Sequence, residues 1–221
     1  MPTHIQKLIS EGEHQRLDFK FGITDSKKIA RSIAAFANTD GGRLLLGVKD
    51  NGAIAGVRSD EEYYMVEAGA TMYCKPEVRF ELKEWIENGR NVLEIIIPKS
   101  EQAPHTAPDK EGNYQAYVRV GDQNFPANGV LRKVWLKQKD AKGVYIEYTR
   151  IERTLLAYLE IHEKITLSAF KKLSGYSYQR CEHIVADFIV LDIIKMNYSG
   201  TGVFYTLNPE FSFNPAREDQ S

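Results

Sequence analysis

The sequence predicts an α/β domain, a mixed sheet with flanking helices, followed by a small winged helix-turn-helix domain. Three observations predict it. The run Leu44-Leu45-Leu46 with Val48 is apolar at consecutive positions, as a strand covered on both faces must be. An apolar helix precedes it, joined by Gly41-Gly42, a pair that permits a tight reversal. Beyond Lys142-Gly143 the pattern changes to three short helices and two strands, the layout of a winged helix.

The elements follow in order. Thr3 opens a helix with Ile5, Leu8 and Ile9 on one face, and Leu17-Asp18-Phe19 alternates as a short strand. Asp25 or Ser26 caps a helix whose Ile29, Ile33, Phe36 and Ala37 recur at helical spacing, ending near Asn38. After the central strand, Asp50-Asn51-Gly52 reads as a hairpin turn, with Ile54 and Val57 on the returning strand. Asp60 caps a helix to about Tyr73, stopped by Pro76. Val78, Phe80 and Leu82 alternate as a strand, Asn88-Gly89 turns the chain, and Val92 to Ile97 forms the next strand. The polar stretch from Lys99 to Asn113 reads as a long loop. Tyr114 to Val120 is a strand, Gly121-Asp122 a turn, and Asn128 the cap of a basic helix.

These elements place one domain at residues 1–141 and a second at 146–209, with a disordered tail at 210–221. In the second, Ile151, Leu155, Leu156 and Leu159 share a helix face, and Leu167, Phe170 and Leu173 belong to a short helix ended by Gly175. A third helix from about Ser177 to Leu191 buries Cys181, Ile184, Val185 and Phe188. The strands Ile193 to Met196 and Val203 to Leu207 are joined by Ser199-Gly200-Thr201-Gly202.

Of the 221 residues, 43% are apolar and 27% charged, the balance of an ordinary globular protein. No apolar run is long enough to span a bilayer, and no signal peptide is read at the start; a cytoplasmic location is expected. Cys74 and Cys181 lie far apart, outside any C-x-x-C spacing, and the five histidines show no ligand spacing, so a zinc site has no support. The net charge of −1 gives little overall attraction for phosphates, which makes the distribution of charge the relevant quantity. Arg132, Lys133, Lys137, Lys139 and Lys142 face Asp140 alone; this run is either a solvated helix face or a phosphate contact.

One constellation is more specific. Glu13-His14-Gln15-Arg16-Leu17-Asp18-Phe19-Lys20 is followed by Ala35-Phe36-Ala37-Asn38-Thr39-Asp40-Gly41-Gly42 and by Gly47-Val48-Lys49-Asp50. Together they resemble the signature of the Schlafen AlbA-type domain, a family also described as a divergent ATPase class. Over roughly the first two-thirds of the chain, the resemblance implies nucleic-acid association. It takes one of two forms, a binding module beside a helix-turn-helix domain or a metal-dependent ribonuclease. In the nuclease members three acids hold a divalent metal, and Glu13, Asp18 and Asp50 match their positions. The resemblance thus makes these three candidate catalytic residues and candidate ligands for Mg²⁺ or Mn²⁺, which suits oxygen donors. Asp18 stands where the family usually carries Glu, one methylene longer. A turn Asp at Asp-Asn-Gly equally needs no catalytic role. Nucleotide hydrolysis is not supported, because Gly41-Gly42-Arg43 lacks the Lys-Ser/Thr of a phosphate-binding loop.

Lys20 shares a strand face with Asp18 and is either its ion-pair partner or a phosphate contact. Arg119, in Tyr117-Val118-Arg119-Val120-Gly121, matches the family's Y-x-R-x-G strand; it is either a phosphate contact or a partner of Asp18 or Asp50. In the second domain the third helix offers Tyr178, Gln179 and Arg180 near its start, and Lys195 lies on the wing. Glu182, Asp187 and Asp192 stand against a basic helix, and a winged helix also serves as a protein-docking module. The leading expectation is a nucleic-acid-binding protein, DNA favoured over RNA, acting as a transcriptional regulator of the type the resemblance implies in bacteria. The alternatives are a Mg²⁺- or Mn²⁺-dependent endoribonuclease and a protein-interaction scaffold. A homodimer is also expected, to present two recognition helices to two half-sites. Tyr63, Tyr64 and Met65 provide its candidate contact, or else they pack under the Lys99 to Asn113 stretch.

Overall fold

The computed structural model describes residues 1–59, 61–140, 143–200 and 202–211. Asp60, the expected cap, and Lys142, Thr201 and most of the expected tail lie outside the described residues. The chain divides into two compact units, Met1–Ala127 and Asn128–Ser221.

The first unit begins with α1 (His4–Glu11). Thr3 caps it by accepting from the Gln6 amide while the Gln6 side chain accepts from the Thr3 amide, a reciprocal capping box. After β1 (Leu17–Lys20), α2 (Ser26–Asn38) starts at Asp25, whose carboxylate accepts from the Lys27 amide. Such a cap contributes about 1 kcal/mol. Helix α2 is buried almost all round: Ile29, Ala30, Ile33, Ala34, Ala35, Phe36 and Ala37 are covered. Its four alanines are what let neighbours approach on several sides, as a helix without a polar face must permit.

Gly41 is required by conformation and contact, and Gly42 by contact. Gly41 has φ +68, and a Cβ there would stand 2.7 Å from the Lys99 amide; a Cβ on Gly42 would lie 2.4 Å from the Phe36 ring. Strand β2 (Gly42–Leu46) follows, then α3 (Glu61–Thr71), β3 (Glu81–Glu87) and β4 (Arg90–Ile97). The sheet order is β1-β2-β4-β3, with β1 parallel to β2 and the other pairs antiparallel. Alternation along β2 splits its leucines between two cores. Leu44 and Leu46 join the core of α2, Ile95 and Ile97, whereas Leu45 and Val48 join that of Ile5, Leu8, Leu17 and Phe19. Burying each such side chain stabilises the fold by about 1.5–3 kcal/mol.

A second sheet, β5 (Thr106–Pro108), β6 (Tyr114–Val120) and β7 (Gln123–Pro126), is antiparallel throughout. Ala107 and Tyr117 belong to the α2 core, so the helix has the larger sheet and the smaller one among its neighbours.

Three local expectations are corrected. Ile54 and Val57 do not continue as a returning strand; only an isolated bridge joins Val48 to Ile54. Both edges of β2 are already taken by β1 and β4, leaving no ladder for a hairpin partner. The Lys99 to Asn113 stretch is not wholly a loop, because β5 pairs with β6 inside it and His105 is buried there. The His105 amide donates to Asn38 Oδ1 at 2.6 Å, and Asn38 Nδ2 donates to the carbonyls of His105 and Tyr117, which ties that stretch to the end of α2. The strand expected from Val78 begins at Glu81 instead; the Val78 amide donates to Ala70.

The second unit comprises α4 (Gly129–Gln138), α5 (Arg150–His162), β8 (Lys164–Ile165), α6 (Leu167–Ser174), α7 (Tyr178–Val190), β9 (Ile194–Ser199) and β10 (Gly202–Leu207). Strands β9 and β10 form an antiparallel hairpin, and the short β8 adds to the other edge of β10. Asn128 caps α4 through the Leu131 amide, as expected, but the expected boundary at 141 falls too late. Val130 and Val134 are buried in the core of α5, α6 and α7 rather than in the first unit. The basic helix is therefore part of the second unit. Its membership depends on where two valines are buried, and helical periodicity alone does not say on which core they pack.

Candidate nucleic-acid interface and acidic cluster

Glu13 lies between α1 and β1, and Asp18 is the second residue of β1, 3% exposed. The two carboxyls adjoin. Glu13 Oε1 accepts from the Phe19 amide at 2.8 Å, yet burial, the hydrogen bond with Asp18 and the like charge of Asp18 raise the Glu13 pKa above its ordinary range. Asp18 is held by two cations: Lys20 Nζ lies 2.7 Å from Oδ2 and an Arg119 guanidinium nitrogen 3.3 Å from Oδ1.

Asp50 does not join them. It lies in the exposed turn beyond β2, and among the described residues no group of three or more His, Cys, Asp or Glu side chains is placed to hold a metal ion. The trio expected to bind Mg²⁺ or Mn²⁺ is therefore not assembled. Lys20 and Arg119 stand on the Asp18 oxygens where a metal would have to bind, and they already neutralise that carboxylate. As placed, these residues do not fit the metal.

Of the two roles expected for Arg119, the structure shows the pairing with Asp18. It is 2% exposed, so it is not a surface phosphate contact. Its guanidinium donates to the carbonyls of His14 and Leu17, to Asn124 Oδ1 and to Asp18, and lies 5.0 Å from the Phe36 ring centroid. Strand β6 is thereby fastened to the entry of β1, and Lys20 likewise serves as an ion-pair partner, donating also to the Phe19 carbonyl at 2.9 Å.

The model of the Schlafen AlbA_2 domain family matches residues 13–128, the span that carries this Glu13, Asp18 and Arg119 arrangement. The chain belongs to the Schlafen AlbA_2 family. Two solved structures are similar to it. One is the DIP2311 protein from Corynebacterium diphtheriae, at 23% identity and a TM-score of 0.42, over 59% of this chain and 29% of that one. The other is the N-terminal domain of a RecG-related protein from Nitrosomonas europaea, at 19% identity and a TM-score of 0.38, over 67% of this chain and 98% of that one. The chain thus spans less than a third of the length of the first. The sequence matches none of the curated proteins.

The AlbA_2 match ends where α4 begins, and the remaining candidates lie in the second unit. Lys133 Nζ is 3.3 Å from Glu182, and Lys137 Nζ is 2.6 Å from Asp187. The lysines of α4 are therefore paired with the acids of α7, while Arg132 is exposed and has no ion pair among the described residues. The Glu182 carboxylate lies close against Gly129. Gln179, Arg180 and His183 of α7 are exposed. Tyr178 is partly committed: its hydroxyl is 2.6 Å from Ser168 Oγ, and Lys171 lies over its ring. Lys195 is exposed on β9. A hollow of about 310 Å³ beside Arg180 and His183 also carries Glu147, Glu152 and Asp187, and its carboxylates do not favour a phosphate.

Both cysteines are buried free thiols, and burial pushes the Cys74 thiol up to about 12, which keeps it protonated. No helix among the described residues is long and apolar enough to cross a membrane. One feature of the AlbA_2 domain escaped the sequence patterns. Phe21 is exposed just past β1, between Lys20 and Gly22, and only an apolar residue in a polar position could have signalled it.

Proposed function

We propose that this protein binds nucleic acid and that its second unit acts as a winged helix, setting α7 against duplex DNA in a regulatory role in the cytoplasm. One observation carries the reading. Glu182 and Asp187 are paired with Lys133 and Lys137, which offsets their charge, and Gln179, Arg180 and His183 of α7 are exposed. Arg and Gln near the start of a recognition helix can reach base edges and phosphates. Lys195 on the hairpin adds a cation suited to the backbone. Membership of the Schlafen AlbA_2 family supports an association with nucleic acid. A second copy would supply a second recognition helix, so the active form is a homodimer.

Duplex binding measured over a salt series tests this. Arg180→Ala weakens binding and lowers the log–log salt slope by ~0.9, one phosphate's worth. An affinity and slope equal to wild type would make α7 a protein-docking surface instead.

A further inference from the structure

Phe21 directly follows β1 and has 42% of its surface exposed. Two cations lie over its ring, the Arg58 guanidinium 4.8 Å from the centroid and Lys49 Nζ at 5.5 Å. Both are themselves exposed, and neither forms an ion pair among the described residues. Phe21 and Arg58 line an open hollow of about 430 Å³ with Ser59 and Met65. Through the shared turn from Gly22 to Thr24 this adjoins a smaller one, about 80 Å³, that reaches Lys28 at the start of α2. Acids are present but occupied: Asp25 caps α2, and buried Glu62 accepts from the Arg58 amide. Glu61 is the exposed exception.

An exposed aromatic ring with exposed cations beside it is what a single strand requires. Every base has a π-face to stack, and its flanking phosphates need positive charge nearby. A duplex, whose bases are already stacked, gains nothing from such a ring. We propose that Phe21 is a stacking platform for a nucleobase of single-stranded nucleic acid, with Arg58, Lys49 and Lys28 taking the adjacent phosphates. This rests on the nucleic-acid reading above but not on α7, because all four residues belong to the AlbA_2 unit.

Anisotropy titrations of the full chain with labelled oligothymidylate, oligouridylate and a DNA duplex test it. Phe21→Ala is expected to lose about tenfold in single-strand affinity while duplex affinity and melting temperature stay as in wild type. Phe21→Tyr, which keeps the ring, is expected to retain single-strand binding, and Arg180→Ala to show the opposite pattern, losing duplex alone. The two oligomers tell DNA from RNA as the source of the strand. Wild-type binding to both oligomers that Phe21→Ala leaves unchanged overturns the platform, as does an equal loss in Phe21→Tyr. Duplex binding with no single-strand binding overturns the platform and leaves the α7 reading standing. Single-strand binding lost in Phe21→Ala with no duplex binding does the reverse.

Discussion

Lys137 Nζ stands 2.6 Å from Asp187 Oδ1, so the basic helix α4 is paired to an acid of α7. The pair is half-buried, with side-chain exposures of 25% and 20%, which limits screening by solvent. It has two consequences. The lysines of α4 are less available for phosphates than their number implies, and α7 is less acidic than its sequence implies.

Breaking that pair therefore acts on stability and binding together. Lys137→Ala is expected to cost about 0.5–1 kcal/mol, with a coupling of similar size to Asp187→Ala in a double-mutant cycle followed by urea unfolding. Duplex affinity falls with it, since an unpaired Asp187 returns negative charge to α7. A coupling of zero would show that the contact contributes nothing.

Arg119 predicts a larger loss. Arg119→Ala leaves Asp18 buried with Lys20 as its remaining cation and removes donors from the His14 and Leu17 carbonyls. Breaking a buried pair of this kind costs about 3–5 kcal/mol. Thermal and urea denaturation would register it plainly, and an unchanged Tm would mean that the contacts of Arg119 hold nothing.

Glu13 predicts a pH dependence with a definite sign. Its pKa is raised in the fold, so the stability it contributes is present in acid and is lost as pH rises through the raised value. Glu13→Gln can keep the bond from the Phe19 amide without a charge beside Asp18. The variant should melt higher than wild type at neutral pH, and its advantage should vanish as pH falls below the usual carboxylate range. A constant difference across pH would refute the linkage.

The homodimer is tested by mass. Light scattering at micromolar concentration should give about twice the 25.2 kDa of one chain; a value near 25.2 kDa would sink it. Tyr63 and Met65 already pack against the first core, which leaves Tyr64, 62% exposed, as the aromatic available for contact. Tyr64→Glu is the variant to compare, with the dimer expected to weaken about tenfold or more by loss of an apolar anchor.

Much of the fold was legible because its signals are local. The caps at Thr3, Asp25 and Asn128 and the αL turn at Gly175 depend on residues within a few positions of each other. The consecutive leucines at 44 to 46 announced a strand covered on both faces, and the acid-Phe-Lys and Gly-Gly segments announced the family. The sequence by itself thus determined the α/β class, most elements and the AlbA_2 resemblance. Only the tertiary structure decided which charges meet. Asp18 and Arg119 are 101 positions apart, and Lys137 and Asp187 are 50, separations over which no periodicity carries information. It also decided that Asp50, though it matches a motif, stands in an exposed turn and forms no metal-holding group with Glu13 and Asp18 among the described residues, and that α4 belongs with α7. The physical reason is common to all of these. Hydrogen bonding and apolar periodicity act along a few turns of chain, whereas the partner of a buried charge is chosen by the packing that brings distant elements together and removes the water between them.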